Sequence, residues 1–145
     1  MNERPIKLAP RWFTVVAALA LVWNLLGVMA YIMQVTMSPE ALAALPQEQR
    51  QLYENTPTWA TAAFAIAVNG GALGCVLLIL RKNLAGIFLS LSLAGVLVQM
   101  FHAFFMTNSI EVLGPAGLVM PIMVLIIAIY LVFLAAKAKT NRWSS

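Results

Sequence analysis

The amino-acid sequence predicts an all-α membrane protein: a four-helix transmembrane antiparallel bundle with short interfacial helices in the first external loop. Hydrophobic residues make up 62% of the 145 residues and charged residues only 10%, whereas a soluble domain carries about 25% charged residues. The charges also stand in short clusters that separate four apolar stretches. Each stretch is long enough to cross a hydrocarbon layer of about 30 Å, so we expect four membrane spans.

The predicted spans cover residues 12–36, 58–80, 84–106 and 115–136, within a single transmembrane domain over residues 1–145. The first span is preceded by basic residues, as a signal peptide would be. Its apolar run is too long for the hydrophobic segment of such a peptide, and Trp23 and Asn24 interrupt it. We therefore expect a retained span rather than a cleaved leader.

The first external loop, residues 37–57, carries two helix-start signals. Ser38 followed by Pro39 is typical of a hydroxyl cap and a first helical turn, and Pro46 restarts the chain for a second short helix. Both helices have an apolar side, so we expect them to lie along the membrane surface. Thr56 and Pro57 repeat the signal and predict a hydroxyl cap for the second span.

The distribution of basic residues predicts the orientation. The stretch before the first span, the turn between the second and third spans, and the C-terminal tail hold eight of the nine Lys and Arg residues. The two other loops hold only Arg50, together with four of the five acidic residues. Because Lys and Arg are retained on the cytoplasmic side, we expect a multi-pass protein with both termini in the cytoplasm.

Small residues recur on one face of several spans and predict helix contacts. Small side chains let backbones approach closely where no hydrophobic effect drives helices together. In the second span they form a ribbon that is expected to make this helix the most enclosed of the four. Its members are Ala60, Ala63, Ala67, Gly70, Gly71 and Gly74. The predicted packing residues are Gly70, Gly74, Gly86, Ser90 and Ala94. Their faces are expected to join the second and third spans, or to contact another subunit.

Polar side chains inside the spans are the candidates for a binding site. Helical geometry places most of them in the outer half of the membrane, on faces that can converge on one pocket that opens outward. The predicted pocket residues are Asn24, Tyr31, Gln34, Asn69, Gln99 and His102. The alternative is that these groups only hydrogen-bond helices to one another, at about 0.6 kcal/mol per contact.

The composition of the chain argues against several kinds of chemistry. The predicted spans contain no Asp or Glu, so His102 has no carboxylate partner there for proton coupling or catalysis. Seven internal methionines suit Cu(I) as ligands, but methionine is also ordinary apolar filler. No basic groove with interleaved aromatic residues points to nucleic acid. We therefore expect no enzyme, no cofactor, no metal site and no nucleic-acid partner.

Five short stretches carry a resemblance to a known group of proteins. They are PTWA (57–60), GGALG (70–74), LRK (80–82), SLAG (92–95) and QM (99–100). Through them, residues 57–105 resemble a small family of uncharacterised bacterial inner-membrane proteins with four spans, often labelled "sugar transporter" by automatic annotation. The resemblance implies a location in the bacterial inner (plasma) membrane, without a defined substrate or assigned site residues.

Two functions follow as expectations. The first is a transport or transport-accessory protein with a polar outward-facing pocket, acting as a homo-oligomer in the lipid bilayer, its small-molecule ligand unknown. The alternative is a non-catalytic assembly or stability subunit of a larger membrane complex. A transporter should hide Asn69, Gln99 and His102 in one bundle, whereas a subunit should expose the small-residue ribbon for a partner membrane chain.

Overall fold

The computed structural model describes residues 8–106, 111, 114 and 118–143. Its α-helices are α1 (Arg11–Val35), α2 (Pro39–Ala43), α3 (Gln47–Glu54), α4 (Thr58–Ile79), α5 (Ala85–Phe101) and α6 (Val119–Thr140), and a π-helical turn, His102–Met106, continues α5. Four of these segments are long and apolar enough to cross a membrane: α1, α4, α5 with its π-turn, and α6. The prediction of an all-α four-helix bundle is confirmed.

Helix α4 is the centre of the bundle. It packs against both α1 and α5, and α5 in turn packs against α6. Its most apolar window is 44% buried, compared with 6% for α1. The second span is therefore the most enclosed helix, as its ribbon of small residues predicted.

The α4–α5 contact brings two backbones together without intervening side chains. A methyl group placed on Gly95 of α5 would lie 2.7 Å from the carbonyl oxygen of Ala63 and 2.9 Å from the amide nitrogen of Ala67, both in α4. The hydroxyl of Ser92 donates a hydrogen bond to the carbonyl oxygen of Ala67. On the α4 side, a methyl group on Gly70 would lie 3.1 Å from the carbonyl oxygen of Phe88, so both helices favour small residues at this contact.

Helices α1 and α6 meet through aromatic rings at the end of the bundle where α1 begins. The Phe13 ring packs edge-on against Trp143 with centroids 5.4 Å apart, and Trp12 packs against the same indole at 5.7 Å. Phe13 is only 1% exposed. It belongs to a core cluster that all four long helices share at this end, which includes Leu78, Ala85 and Leu134.

Two helices end at that same side of the bundle in an unusual way. After α4, the amide of Arg81 donates to the carbonyl of Leu78 and the amide of Lys82 to that of Leu77. After α6, Arg142 and Trp143 repeat this pattern. These are Schellman motifs, in which the left-handed position is usually glycine. Here arginine occupies it both times, with φ of 60°, which the sequence did not predict.

The loop between α1 and α4 starts as predicted, but its end differs from the expectation. The Ser38 hydroxyl caps α2 by accepting a hydrogen bond from the Ala41 amide at 3.1 Å. Thr56 does not cap α4. Its hydroxyl instead donates to the carbonyl of Leu52 at 2.6 Å, in the last turn of α3. The hydroxyl is thus already occupied, and Pro57 stands at the start of α4 without a side-chain cap.

The small residues divide between inner and outer faces. Gly70 and Gly74 of α4 lie against α5, but Ser90 and Ala94 of α5 are exposed, and Gly86 faces α6 rather than α4. The expectation that Gly86, Ser90 and Ala94 join the two arms of the hairpin is wrong within this chain. Gly95 and Ser92 form that contact, because they combine close backbone approach with a hydrogen bond.

The fourth long helix ends later than the sequence predicted. Its expected first residues, 115–117, lie outside the described residues, and the described helix begins at Val119. It continues to Thr140, past the predicted end at residue 136, so that Lys137 and Lys139 lie in its last turn. Cations are favourable there because of the helix dipole.

Replacing Gly95 with alanine is expected to destabilise the bundle by about 1–3 kcal/mol, because the new methyl group must push two backbones apart. Gly86→Ala is the matched control: its methyl group would meet nothing closer than Ala135 Cβ at 4.0 Å. That control should be neutral or stabilising by up to about 1 kcal/mol. Reversible unfolding in detergent measures the free energy of unfolding of both variants. Equal effects of the two substitutions would contradict the close crossing of α4 and α5.

Candidate functional site

A cavity of about 460 Å³ lies between α1 and α6, with α4 and α5 as its floor. Helix α1 lines it from Trp23 to Ala30, and α6 from Met120 to Leu131. Leu26 and Met120 at its edges are 56% and 58% exposed, so the cavity opens sideways between the two helices. Its volume is within the range of small-molecule sites, about 300–1,000 Å³.

The cavity exists because α1 and α6 contact the central pair of helices but diverge from each other. Gly27 brings α1 against Val68 of α4, since a methyl group at Gly27 would come within 2.9 Å of the Val68 side chain. Ala128 of α6 joins a core cluster with Ala67 and Val96 on the other side. Away from the aromatic contact at Phe13 and Trp143, the space between α1 and α6 is left open.

Two polar side chains at the deep end of the cavity are committed to holding helices. The Asn24 amide donates to the carbonyl of Ala20 at 2.8 Å and to the Cys75 sulfur at 3.6 Å. Its oxygen lies so close to Gly71 that no methyl group would fit there. Ser92, which also lines the cavity, donates to α4 as described above. For these two residues, the helix-linking role applies.

Gln99 differs from them because its amide is available. It is half-buried and lines the cavity, and its side chain makes no hydrogen bond with the residues that the structure describes. A primary amide offers two donors and one acceptor. Gln99 is therefore the polar group with which a molecule in the cavity can pair.

The other predicted pocket residues are not gathered in this cavity. Tyr31 packs edge-on against Phe64, a lining residue, with ring centroids 5.5 Å apart. Gln34 lines neither this cavity nor the second depression described below. Asn69 is exposed and donates only to Ala65 of its own helix at 2.9 Å. It points away because the small residues of α4 occupy the inward face, so its expected place in the pocket is wrong.

His102 lies outside the cavity, at the start of the π-turn. It contributes to a separate depression of about 420 Å³, shared with Gln51, Asn55 and Glu111. Its imidazole packs edge-on against Trp59 with centroids 5.3 Å apart. The single pocket predicted from the sequence is thus two sites, an apolar cavity with Gln99 and a polar depression with His102.

Three parts of the cavity wall were not predicted from the sequence: Ser92, Phe64 and the residues of α6. Ser92 lies three residues before Gly95, on the same side of the helix, but its hydrogen-bond partner is a backbone carbonyl, which leaves no trace in the side-chain pattern. Phe64 and the apolar residues of α6 look like ordinary lipid-facing or core positions. No pattern of apolar residues distinguishes the wall of a cavity from a surface in contact with lipid.

Comparison with protein-family models, curated proteins and solved structures finds no match to this chain. The resemblance to a four-span bacterial family therefore stays a prediction. Within the described residues, no group of three His, Cys, Asp or Glu side chains could hold a metal ion.

Asn24→Ala is expected to lower stability by about 0.6–1.7 kcal/mol, because it removes the hydrogen bond between α1 and Cys75 of α4. Asn69→Ala is the control: its amide bonds only within α4 and is exposed. Removing that amide should be neutral or slightly stabilising. Thermal unfolding in the same detergent compares the two variants. A larger loss for Asn69→Ala would contradict these placements.

Proposed function

We propose that this chain is a small multi-pass protein of the bacterial inner membrane that binds a membrane-soluble small molecule between α1 and α6, in transport or in support of a transporter. The observation that carries the proposal is the sideways opening of an apolar cavity with one available amide, Gln99. A ligand that enters from the bilayer needs this route, since it does not pass through water.

The proposed orientation supports this role. With both termini in the cytoplasm, the aromatic contact of α1 with α6 closes the cytoplasmic end. The cavity then opens in the outer half of the membrane, and the polar depression at His102 lies at the outer surface. A molecule with an apolar body and a hydroxyl or amide group fits this cavity, because Gln99 can both donate and accept.

The alternative, an assembly subunit of a larger complex, depended on an exposed ribbon of small residues. Ala63 and Ala67 of that ribbon are 5% and 4% exposed, and α5 covers them. The surface expected to receive a partner helix is thus used within the chain. Of the three residues that a transporter should hide, only Gln99 lines the cavity, so the proposed binding role rests on that residue. We propose that the bundle acts without catalysis, in the lipid bilayer and as a homo-oligomer.

Filling the cavity should abolish binding. Ala30 is exposed at the edge of the cavity on α1, so Ala30→Trp places an indole inside it without disturbing the core. Met29→Trp is the matched control, since Met29 is 57% exposed at the same depth and does not line the cavity. The probe is a diazirine-bearing long-chain alcohol, photocrosslinked to protein in nanodiscs and mapped by mass spectrometry.

The expected result is labelling of α1 and α6 residues of the cavity, reduced at least about tenfold by Ala30→Trp and unchanged by Met29→Trp. Gln99→Leu should reduce labelling by the alcohol but not by a diazirine hydrocarbon of the same length. Equal labelling of cavity and lipid-facing residues, or no effect of Ala30→Trp, would refute the proposed function.

A further inference from the structure

One end of the bundle concentrates positive charge without any carboxylate among the described residues. We call it the basic rim; its members are Arg11, Arg81, Lys82, Lys137, Lys139 and Arg142. They flank the ends of α1, α4, α5 and α6 that share the Phe13 core cluster. The described acids, Glu40, Glu48, Glu54 and Glu111, belong to the loops at the opposite end. Charge at the rim is therefore not balanced by neighbouring described side chains.

The charge of Arg11 gives the fold no local advantage. Helices α1 and α5 begin at the rim, and neither has a side-chain cap or an acidic residue in its first turn. Cations at a helix N-terminus are unfavourable because the helix dipole is positive there. Arg81 and Lys82 directly follow the C-terminal end of α4, where the dipole favours them. Arg11 instead opens α1 and meets the positive end of its dipole. An anion bound at the rim would offset this repulsion.

The rim also has a fixed centre. The Lys137 ammonium lies 5.3 Å from the centre of the Trp12 ring and 6.0 Å from that of Trp143. Two cation–π contacts hold it at the junction of α1 and α6. Indole rings prefer the depth of the membrane interface, which is where lipid phosphates lie. Arg142, next to Trp143, is fixed by the Schellman motif that ends α6.

We infer that the basic rim binds the phosphate of an anionic phospholipid at Lys137, with Arg11 and Arg142 beside it. The charge of the rim selects an anionic headgroup over a zwitterionic one. Exposed apolar side chains of α1 just above the rim, Val15 and Leu19, offer a surface for the acyl chains. Basic sites between transmembrane helices bind such headgroups elsewhere. This site is independent of the cavity between α1 and α6.

Tryptophan quenching by brominated lipids tests this inference. The substitutions Trp23→Phe and Trp59→Phe leave Trp12 and Trp143 as the remaining tryptophans, which are excited selectively over tyrosine. The protein is reconstituted in two kinds of nanodisc, both of which contain phosphatidylglycerol mixed into phosphatidylcholine. In the first the phosphatidylglycerol is brominated, and in the second the phosphatidylcholine carries the bromine instead. We expect stronger quenching by the anionic lipid at equal mole fraction, corresponding to about a fivefold preference for each basic residue in contact.

A triple variant, Arg11→Gln, Lys137→Gln and Arg142→Gln, should abolish the preference. The control is Arg50→Gln, which changes a basic residue at the opposite end and should leave the preference for the anionic lipid intact. Circular dichroism checks that both variants are folded. Equal quenching by the two lipids in the unsubstituted background would overturn the inference, and so would an unchanged preference in the triple variant. Loss of the preference on adding inorganic phosphate would show that the site takes a free anion instead of a lipid.

Discussion

The backbone contact between α4 and α5 is the constraint on which the rest of the structure depends. Gly95 lies so close to Ala63 and Ala67 that no side chain fits between the helices, and Ser92 adds a hydrogen bond across the same contact. Inside a membrane, packing and hydrogen bonds must replace the hydrophobic effect in holding helices together. The small residues of α4 provide this packing, and α1 then packs against α4 while α6 packs against α5.

That arrangement separates two regions with different chemistry. At the end where α1 begins, Phe13 and Trp143 join α1 to α6 and close the bundle. Further along, α1 follows α4 and α6 follows α5, and the gap between them is the cavity. Two polar groups of the described bundle bond to a neighbouring helix: Asn24 donates to Cys75 and Ser92 donates to the carbonyl of Ala67. Asn69 and Ser90 donate only within their own helices. Gln99, which lines the cavity, is the residue on which the proposed binding role rests.

The sequence predicted the bundle well because its signals are periodic and local. Long uncharged runs define the spans, and the small residues of α4 identified the most enclosed helix. The site was harder to predict because helical faces show which residues share a side, but not which helix covers that side. Asn69 and Gln99 look equivalent in the sequence, yet one is exposed and the other lines the cavity. The third span had two faces suited to packing, and the choice between Ala94 and Gly95 needed the three-dimensional contact.

The most direct measurement of the central contact is nuclear Overhauser spectroscopy of the isotope-labelled protein in nanodiscs. Cross-peaks are expected from the α protons of Gly95 to the amide and α protons of Ala67, since the two backbones touch there. Ser90 and Ala94 should show cross-peaks to lipid acyl chains rather than to α4. Cross-peaks from Ala94 to α4, together with lipid contacts at Gly95, would refute the close crossing, because α5 would then present its other face to the centre of the bundle.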